Sequence, residues 1–171
     1  MKGIAVLGST GSIGKQTLDI IRCFPDRFTV IGLAGWRNSE TLSQQVRQFK
    51  PRLVSCQDAE PMADLSSLMD CQITSIEEMV CHSDIDVVMV ATTGKAGLIP
   101  TLAALRHGKT VALANKEVIV MAGDLVTATA RLHGAELLPV DSEPSAIWQC
   151  LRGDDANLAR LIITASGGPF R

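Results

Sequence analysis

Tyrosine is absent from the 171 residues, and aromatic side chains of any kind make up only 4%. The first absence excludes the short-chain dehydrogenases, whose proton donor is a tyrosine paired with a lysine. The second, with four Phe and two Trp in all, removes the stacking platforms that nucleic-acid binding needs. An excess of positive charge is also missing. Sixteen Lys and Arg stand against eighteen Asp and Glu, a net charge of −2, which offers no field for a polyanion. No apolar run reaches the roughly 20 residues that cross a bilayer, so no membrane partner is expected. The first residues, one Lys ahead of a strand-like run and a glycine-rich turn, lack the cleavage site of a signal peptide. The five cysteines are odd in number, irregularly spaced and never in a C-x-x-C pair, so no disulfide framework is expected. Cys81-His82 has no second pair to complete a metal site. A reducing, cytoplasmic compartment follows.

What is present is a 46% hydrophobic share, enough to fill the core of one ordinary domain. Short apolar runs alternate with helical patterns along the chain. Gly3–Leu7, Phe28–Ala34, Arg52–Cys56, Asp86–Val90, Thr110–Ala114, Glu136–Val140 and Leu161–Ala165 read as strands, Asp86–Val90 as one buried on both faces. Between them, Leu18 to Phe24, Ser39 to Phe49, Glu77–Val80, Leu98–His107, Ala122–His133 and Pro144–Leu151 read as helices. Pro25 and Pro51 bound the first two, and Gly108 and Gly134 stand where a helix-ending glycine would. Gln57–Asp70 has the weakest pattern and is expected to be a variable surface segment. Nearly continuous apolar strands with short links predict a doubly wound, Rossmann-like α/β fold with a mostly parallel sheet. In such a sheet the strands end at one edge, where ligands bind. The segments following the strands, GSTGSIG, GWRNS, TTGKAG, NKE, DSEP and SGG, are the glycine-rich and polar ones and are expected to meet there.

Gly8–Gly14 (GSTGSIG) follows a strand and opens a helix, where glycines allow a tight turn and the helix N-terminus favours a pyrophosphate. Its spacing is G-x-x-G-x-x-G rather than the common G-x-G-x-x-G. The G-x-x-x-x-G-K-[ST] motif fails, because Ser9 stands where the first glycine is needed and Gln16 follows Lys15. A bare glycine turn is the other reading. An NAD site expects an acid after the second strand, but here Gly35-Trp36-Arg37-Asn38-Ser39 offers a cation and donors suited to a 2′-phosphate. NADPH is therefore preferred over NADH.

Lys116 begins where the Thr110–Ala114 strand ends and faces the crevice, able to donate to a substrate oxygen; a solvated helix-start lysine is the alternative. Asp141 and Glu143, two apart in extended geometry, share a face and suit Mg2+ or Mn2+ with a further ligand from elsewhere. The alternative is an acidic helix start with Pro144 in the first turn.

With GSTGSIG, ANKE (114–117), VDSEPSAI (140–147) and SGGPFR (166–171) in this order, the chain resembles the 1-deoxy-D-xylulose 5-phosphate reductoisomerase family from Met1 to Arg171. ANKE, VDSE and SGGPFR together are specific; the glycine loop alone is not. The resemblance implies NADPH- and metal-dependent (Mn2+ or Mg2+) isomerisation and reduction of a sugar phosphate to 2-C-methyl-D-erythritol 4-phosphate, the committed step of non-mevalonate isoprenoid biosynthesis, in a homodimer. It assigns cofactor contacts to Thr10, Gly11, Ser12, Ile13, Trp36, Arg37, Asn38, Asn115 and Glu117. It assigns metal to Asp141 and Glu143, and substrate to Lys116, Ser142, Glu143 and Ser166, with Lys116 and Glu143 catalytic. Trp36 stands where many members carry glycine, Gly35 being one place earlier.

Family members are much longer, so the chain reads as their N-terminal part: a dinucleotide-binding domain over 1–140 and the start of a catalytic domain over 141–171. A third metal carboxylate, a phosphate-binding set and a lid lie beyond it, and the expectation is NADPH binding with little or no turnover. The exposed edge at Leu161–Ala165 is expected to favour association. Two readings compete. One is a dehydrogenase of the glucose–fructose oxidoreductase or dihydrodipicolinate reductase type, which has no use for paired acids at 141 and 143. The other is a non-catalytic NADPH-binding module.

Overall fold

Lys2–Leu7 (β1) buries every residue after Lys2, and a strand of that kind needs cover on both faces. In a computed structural model, which describes residues 1–56, 70–151 and 158–163, it lies at the middle of a seven-stranded sheet. The elements follow in the order β1, α1 (Ser12–Cys23), β2 (Phe28–Ala34), α2 (Ser39–Phe49), β3 (Leu53–Ser55), β4 (Gln72–Ile73), α3 (Ile76–Cys81), β5 (Val87–Val90), a 3-10 turn (Gly94–Gly97), α4 (Leu98–Arg106), β6 (Thr110–Leu113), α5 (Lys116–Leu132), β7 (Leu137–Pro139) and α6 (Ser142–Leu151). Every strand pairing is parallel, so the expected doubly wound α/β fold is the observed one.

The strand order is β4-β3-β2-β1-β5-β6-β7. The chain winds outward from β1 to β4, returns to lie beside β1 as β5, and winds outward the other way. The reversal falls between β1 and β5, where open α/β sheets place their ligands. Side chains alternate across β1. Ile4 and Val6 join Leu18, Ile21, Leu42 and Val46 of α1 and α2 in one core. Ala5 and Leu7 join Met79, Leu102, Leu105, Val118 and Val126 of α3, α4 and α5 in the other.

Several expectations are corrected. In β5 only Val88 and Val90 are buried; Val87 and Met89 are partly covered, because they sit at the margin of the core under α1 and α2. Helix α5 is two helical stretches joined at a kink at Ala122 (φ −149°, ψ 34°): the expected helix from Ala122 is the second stretch, and the first, from Lys116, was not expected. The exposed Ile119, Val120 and Met121 mask its first turn, since their apolar run lacks helical periodicity. Helix α6 starts at Ser142, two residues before Pro144, which the first turn tolerates. Strand β4 and the 3-10 turn were not expected; β4 has two residues, both exposed. Leu161–Ile163 is not in a strand: it lines a cavity with Ala146, Ile147 and Cys150 of α6, and none of the sheet's strand pairings includes it. The rest of that expected strand, and Gln57–Met69 of the weak segment, lie outside the described residues.

Candidate functional site

One register row crosses the sheet at its carboxyl edge: Ser55, Ala34, Leu7, Val90, Leu113, Pro139. The next residues along the chain are Cys56, Gly35, Gly8, Ala91, Ala114 and Val140. Five segments expected to meet, GSTGSIG, GWRNS, TTGKAG, NKE and DSEP, thus leave the sheet side by side. The sixth, SGG, and with it Ser166, lies outside the described residues.

The glycine loop is held in place by its backbone. Gly8 and Ser9 N–H both donate to the Ala34 carbonyl at 2.9 Å, and Gly11 N–H donates to the Gly8 carbonyl at 3.1 Å. Gly8 has φ +81°, and a Cβ there would lie 2.5 Å from the Ala91 carbonyl oxygen. At Gly14 a Cβ would lie 2.3 Å from the Gly8 oxygen and 2.6 Å from Ser9 Cα, so α1 packs directly on the loop. These contacts leave Gly11 and Ser12 exposed, with Thr10 and Ile13 half-buried. Gly11 caps α1 with no side chain, so the first-turn N–H groups of the helix face outward without an intrahelical partner. Such a terminus favours an anion by about 0.3–1 kcal/mol. Loop, glycine cradle and bare terminus fit a pyrophosphate.

The loop after β2 holds Trp36, Arg37 and Asn38, all exposed. Asn38 Oδ1 accepts from Thr41 N–H at 2.9 Å and caps α2. Its amide nitrogen remains for a ligand. Arg37 makes no ion pair among the described residues, which leaves its guanidinium for an anion.

Asn115 stands apart from its exposed neighbours. It is buried, and its whole side chain is spent within the protein. Oδ1 accepts from Val118 N–H at 3.3 Å, while Nδ2 donates to the Gly94 carbonyl at 2.9 Å and lies 3.4 Å from Thr92 Oγ1. It therefore caps α5 and ties the loop after β5 to that helix. Lys116 and Glu117 are exposed in the first turn of α5. Lys116 Nζ lies 3.8 Å from Asp141 Oδ2, with side-chain exposures of 68% and 29%. A pair that open holds by no more than about 1 kcal/mol, so Lys116 remains free to turn to a ligand.

Asp141, Lys116 and Asn115 line one cavity of about 360 Å3 between α5, β7 and α6. Glu143 lines another, of about 120 Å3, between α6 and Leu161–Ile163. The shared-face argument therefore does not hold, because α6 begins at Ser142 and carries Glu143 in its first turn. Both acids are hard oxygen donors of the kind Mg2+ and Mn2+ take. No group of three acids, His or Cys that could hold a metal is found among the described residues. Ser142 is exposed beside them.

Against known families, the profile described as 1-deoxy-D-xylulose 5-phosphate reductoisomerase matches residues 4–123. The chain belongs to this family. The profile of the reductoisomerase C-terminal domain matches residues 137–171. Curated reductoisomerases are 46% identical in Acaryochloris marina and 48% in Thermoanaerobacter pseudethanolicus. Both matches cover all of this chain but 45% and 46% of those proteins, so the chain spans a little under half their length. Among solved structures, a reductoisomerase in complex with NADPH, fosmidomycin and magnesium superposes with a TM-score of 0.86 at 40% identity, covering 90% of this chain and 40% of that one. The Zymomonas mobilis reductoisomerase in complex with NADPH superposes with a TM-score of 0.81 at 40% identity, covering 89% and 42%. A homoserine dehydrogenase at 20% identity and a TM-score of 0.59 shares the fold alone. The comparisons give no support to the competing dehydrogenase readings.

Sequence reasoning missed Gln45, which is buried in α2 and donates from Nε2 to the Ser9 carbonyl at 2.8 Å. A glutamine on a helix gives no local signal of that kind, since only tertiary packing buries it.

Proposed function

We infer that this chain is the cofactor-binding part of an NADPH- and divalent-metal-dependent reductoisomerase, which isomerises and reduces 1-deoxy-D-xylulose 5-phosphate to 2-C-methyl-D-erythritol 4-phosphate in non-mevalonate isoprenoid biosynthesis. The observation that carries it is the register row, which sets the locked glycine loop, Arg37, Lys116 and Asp141 along one edge. Thr10, Gly11, Ser12 and Ile13 receive the cofactor pyrophosphate at the start of α1. Trp36, Arg37 and Asn38 receive the adenosine 2′-phosphate, for which a guanidinium supplies a charge-assisted donor pair. Asn115, through its backbone, and Glu117 border the nicotinamide end.

Lys116 is the substrate donor: its ammonium, released from a weak ion pair, holds a substrate oxygen at the mouth of the cavity. Ser142, Glu143 and Ser166 complete the substrate contacts, and Asp141 and Glu143 are the metal carboxylates. When bound, the nicotinamide supplies a hydride, and Mn2+ or Mg2+ supplies a Lewis acid for the substrate's adjacent carbonyl and hydroxyl oxygens. The binding domain spans 1–140, and 141–171 opens the catalytic domain. The active protein is a homodimer in the cytoplasm with no nucleic-acid or membrane partner. The reducing compartment is supported by five free cysteines, and the lack of a nucleic-acid partner by the net charge of −2; among the described residues no helix is long and apolar enough to cross a membrane.

Calorimetric titration of the 171-residue chain with NADPH and NADH, with and without Mn2+, tests this reading. NADPH is expected to bind more tightly than NADH in both conditions, with no turnover of substrate by this chain alone. Equal or absent binding of the two dinucleotides, or turnover at the rate of the longer relatives, contradicts it.

A further inference from the structure

Gln45 is 7% exposed and Ser9 is fully buried. Thirty-six positions apart in sequence, they meet through Gln45 Nε2 and the Ser9 carbonyl oxygen at 2.8 Å. The same spot holds two buried polar atoms without a protein partner, Ser9 Oγ and Gln45 Oε1. Leaving such atoms unpaired opposes folding; an apolar side chain at 45 would remove the unpaired Oε1 but leave the Ser9 carbonyl without its Gln45 donor. What the amide does is visible in the loop. The Ser9 peptide is gripped on its N–H by Ala34 of β2 and on its carbonyl by Gln45 of α2, while α1 closes on its Cα through Gly14. The next residues are those that reach the surface at the uncapped start of α1.

We propose that Gln45 is a positioning residue for dinucleotide binding: its amide fixes the Ser9 peptide and thereby the direction in which the Thr10–Ile13 backbone meets the pyrophosphate. The proposal rests on the dinucleotide reading above. Because the pyrophosphate is common to NADPH and NADH, loss of the amide weakens both by the same factor, whereas loss of the Arg37 guanidinium changes their ratio.

The test is calorimetry of the 171-residue chain carrying Gln45→Met, with thermal melting of the unliganded protein alongside. NADPH and NADH affinities are expected to fall together by roughly threefold to tenfold, the scale of one hydrogen bond, in a protein that still melts cooperatively. Should Gln45→Met not fold, Gln45→Asn, a donor too short to span the contact, carries the same expectation. Unchanged affinities in either folded variant overturn the proposal, as does a loss confined to NADPH, which would place Gln45 with the 2′-phosphate loop instead. Wild-type protein that binds neither dinucleotide overturns the dinucleotide reading itself and this proposal with it, an outcome distinguishable because it precedes any substitution.

Discussion

The two sides of the crevice are built differently. On the β1–β2 side the loop residues are held from three directions, by Ala34, by Gln45 and by the close packing of α1 on Gly8 and Ser9. On the β6–β7 side, β7 is only half-buried along its length, α6 has no buried residue, and Lys116 meets Asp141 in an open ion pair. The first side is pre-organised, so a dinucleotide meets a surface already ordered and loses little entropy in ordering it. The second has donors of the right chemistry without the packing that would fix them. On the proposed function, cofactor binding and catalysis should therefore separate, the first depending on the packed side and the second on the open one.

The largest effect that would break the comparison comes from Gly14→Ala. Its Cβ would meet backbone atoms that cannot yield, and a destabilisation of about 3 kcal/mol is expected in urea unfolding. Gly134, with φ +61° and open space around it, pays only the left-handed backbone cost of about 1 kcal/mol when replaced by Ala. Equal costs at the two positions would mean that the loop is not locked. Next, Arg37→Ala is expected to weaken NADPH roughly tenfold, as loss of a charge-assisted contact does, and to leave NADH unchanged by calorimetry. On the open side, Lys116→Ala should change stability by less than about 0.5 kcal/mol and leave NADPH affinity as it was. A large loss of stability there would show a closed site where an open one is described.

The smallest effect is a pH dependence away from the crevice. Hydrogen bonds from Thr74 Oγ1 and then from Ser75 hold the Glu78 carboxyl below the usual carboxylate range, within the capping box of α3. A folded-state pKa lowered in this way adds stability at neutral pH, above the unfolded value, and the contribution disappears as pH falls through the lowered folded value. The urea midpoint of Glu78→Gln should lie slightly below wild type at pH 7 and converge with it in acid. A gap that widens in acid reverses the sign.

The β1–β2 side was also the more legible in sequence. The bounds of β2 and α2 agree with the apolar run FTVIGLA and with the spacing of Leu42, Val46 and Phe49 before Pro51, because β2 is a continuous apolar run buried on both faces and α2 buries one clear face. On the other side the pattern misleads. The first turn of α5 hides in Val118–Met121, whose apolar side chains are mostly exposed. The early start of α6 undoes the geometry that extended spacing implied for Asp141 and Glu143. Asn115 was visible as a motif residue, but not as a side chain wholly engaged by Thr92, Gly94 and Val118. That depends on the loop after β5 lying beside the start of α5, which only the sheet order brings about.

The central claim, that one carboxyl edge of the sheet gathers these loops into a dinucleotide site, is tested most directly by amide chemical-shift mapping during an NADPH titration. The account predicts saturable shifts at Ser12, Ile13, Arg37 and the Asn115 backbone, with His107, Gly108 and Lys109 at the opposite edge unmoved. Shifts concentrated at that opposite edge, or none at the glycine loop, would contradict it.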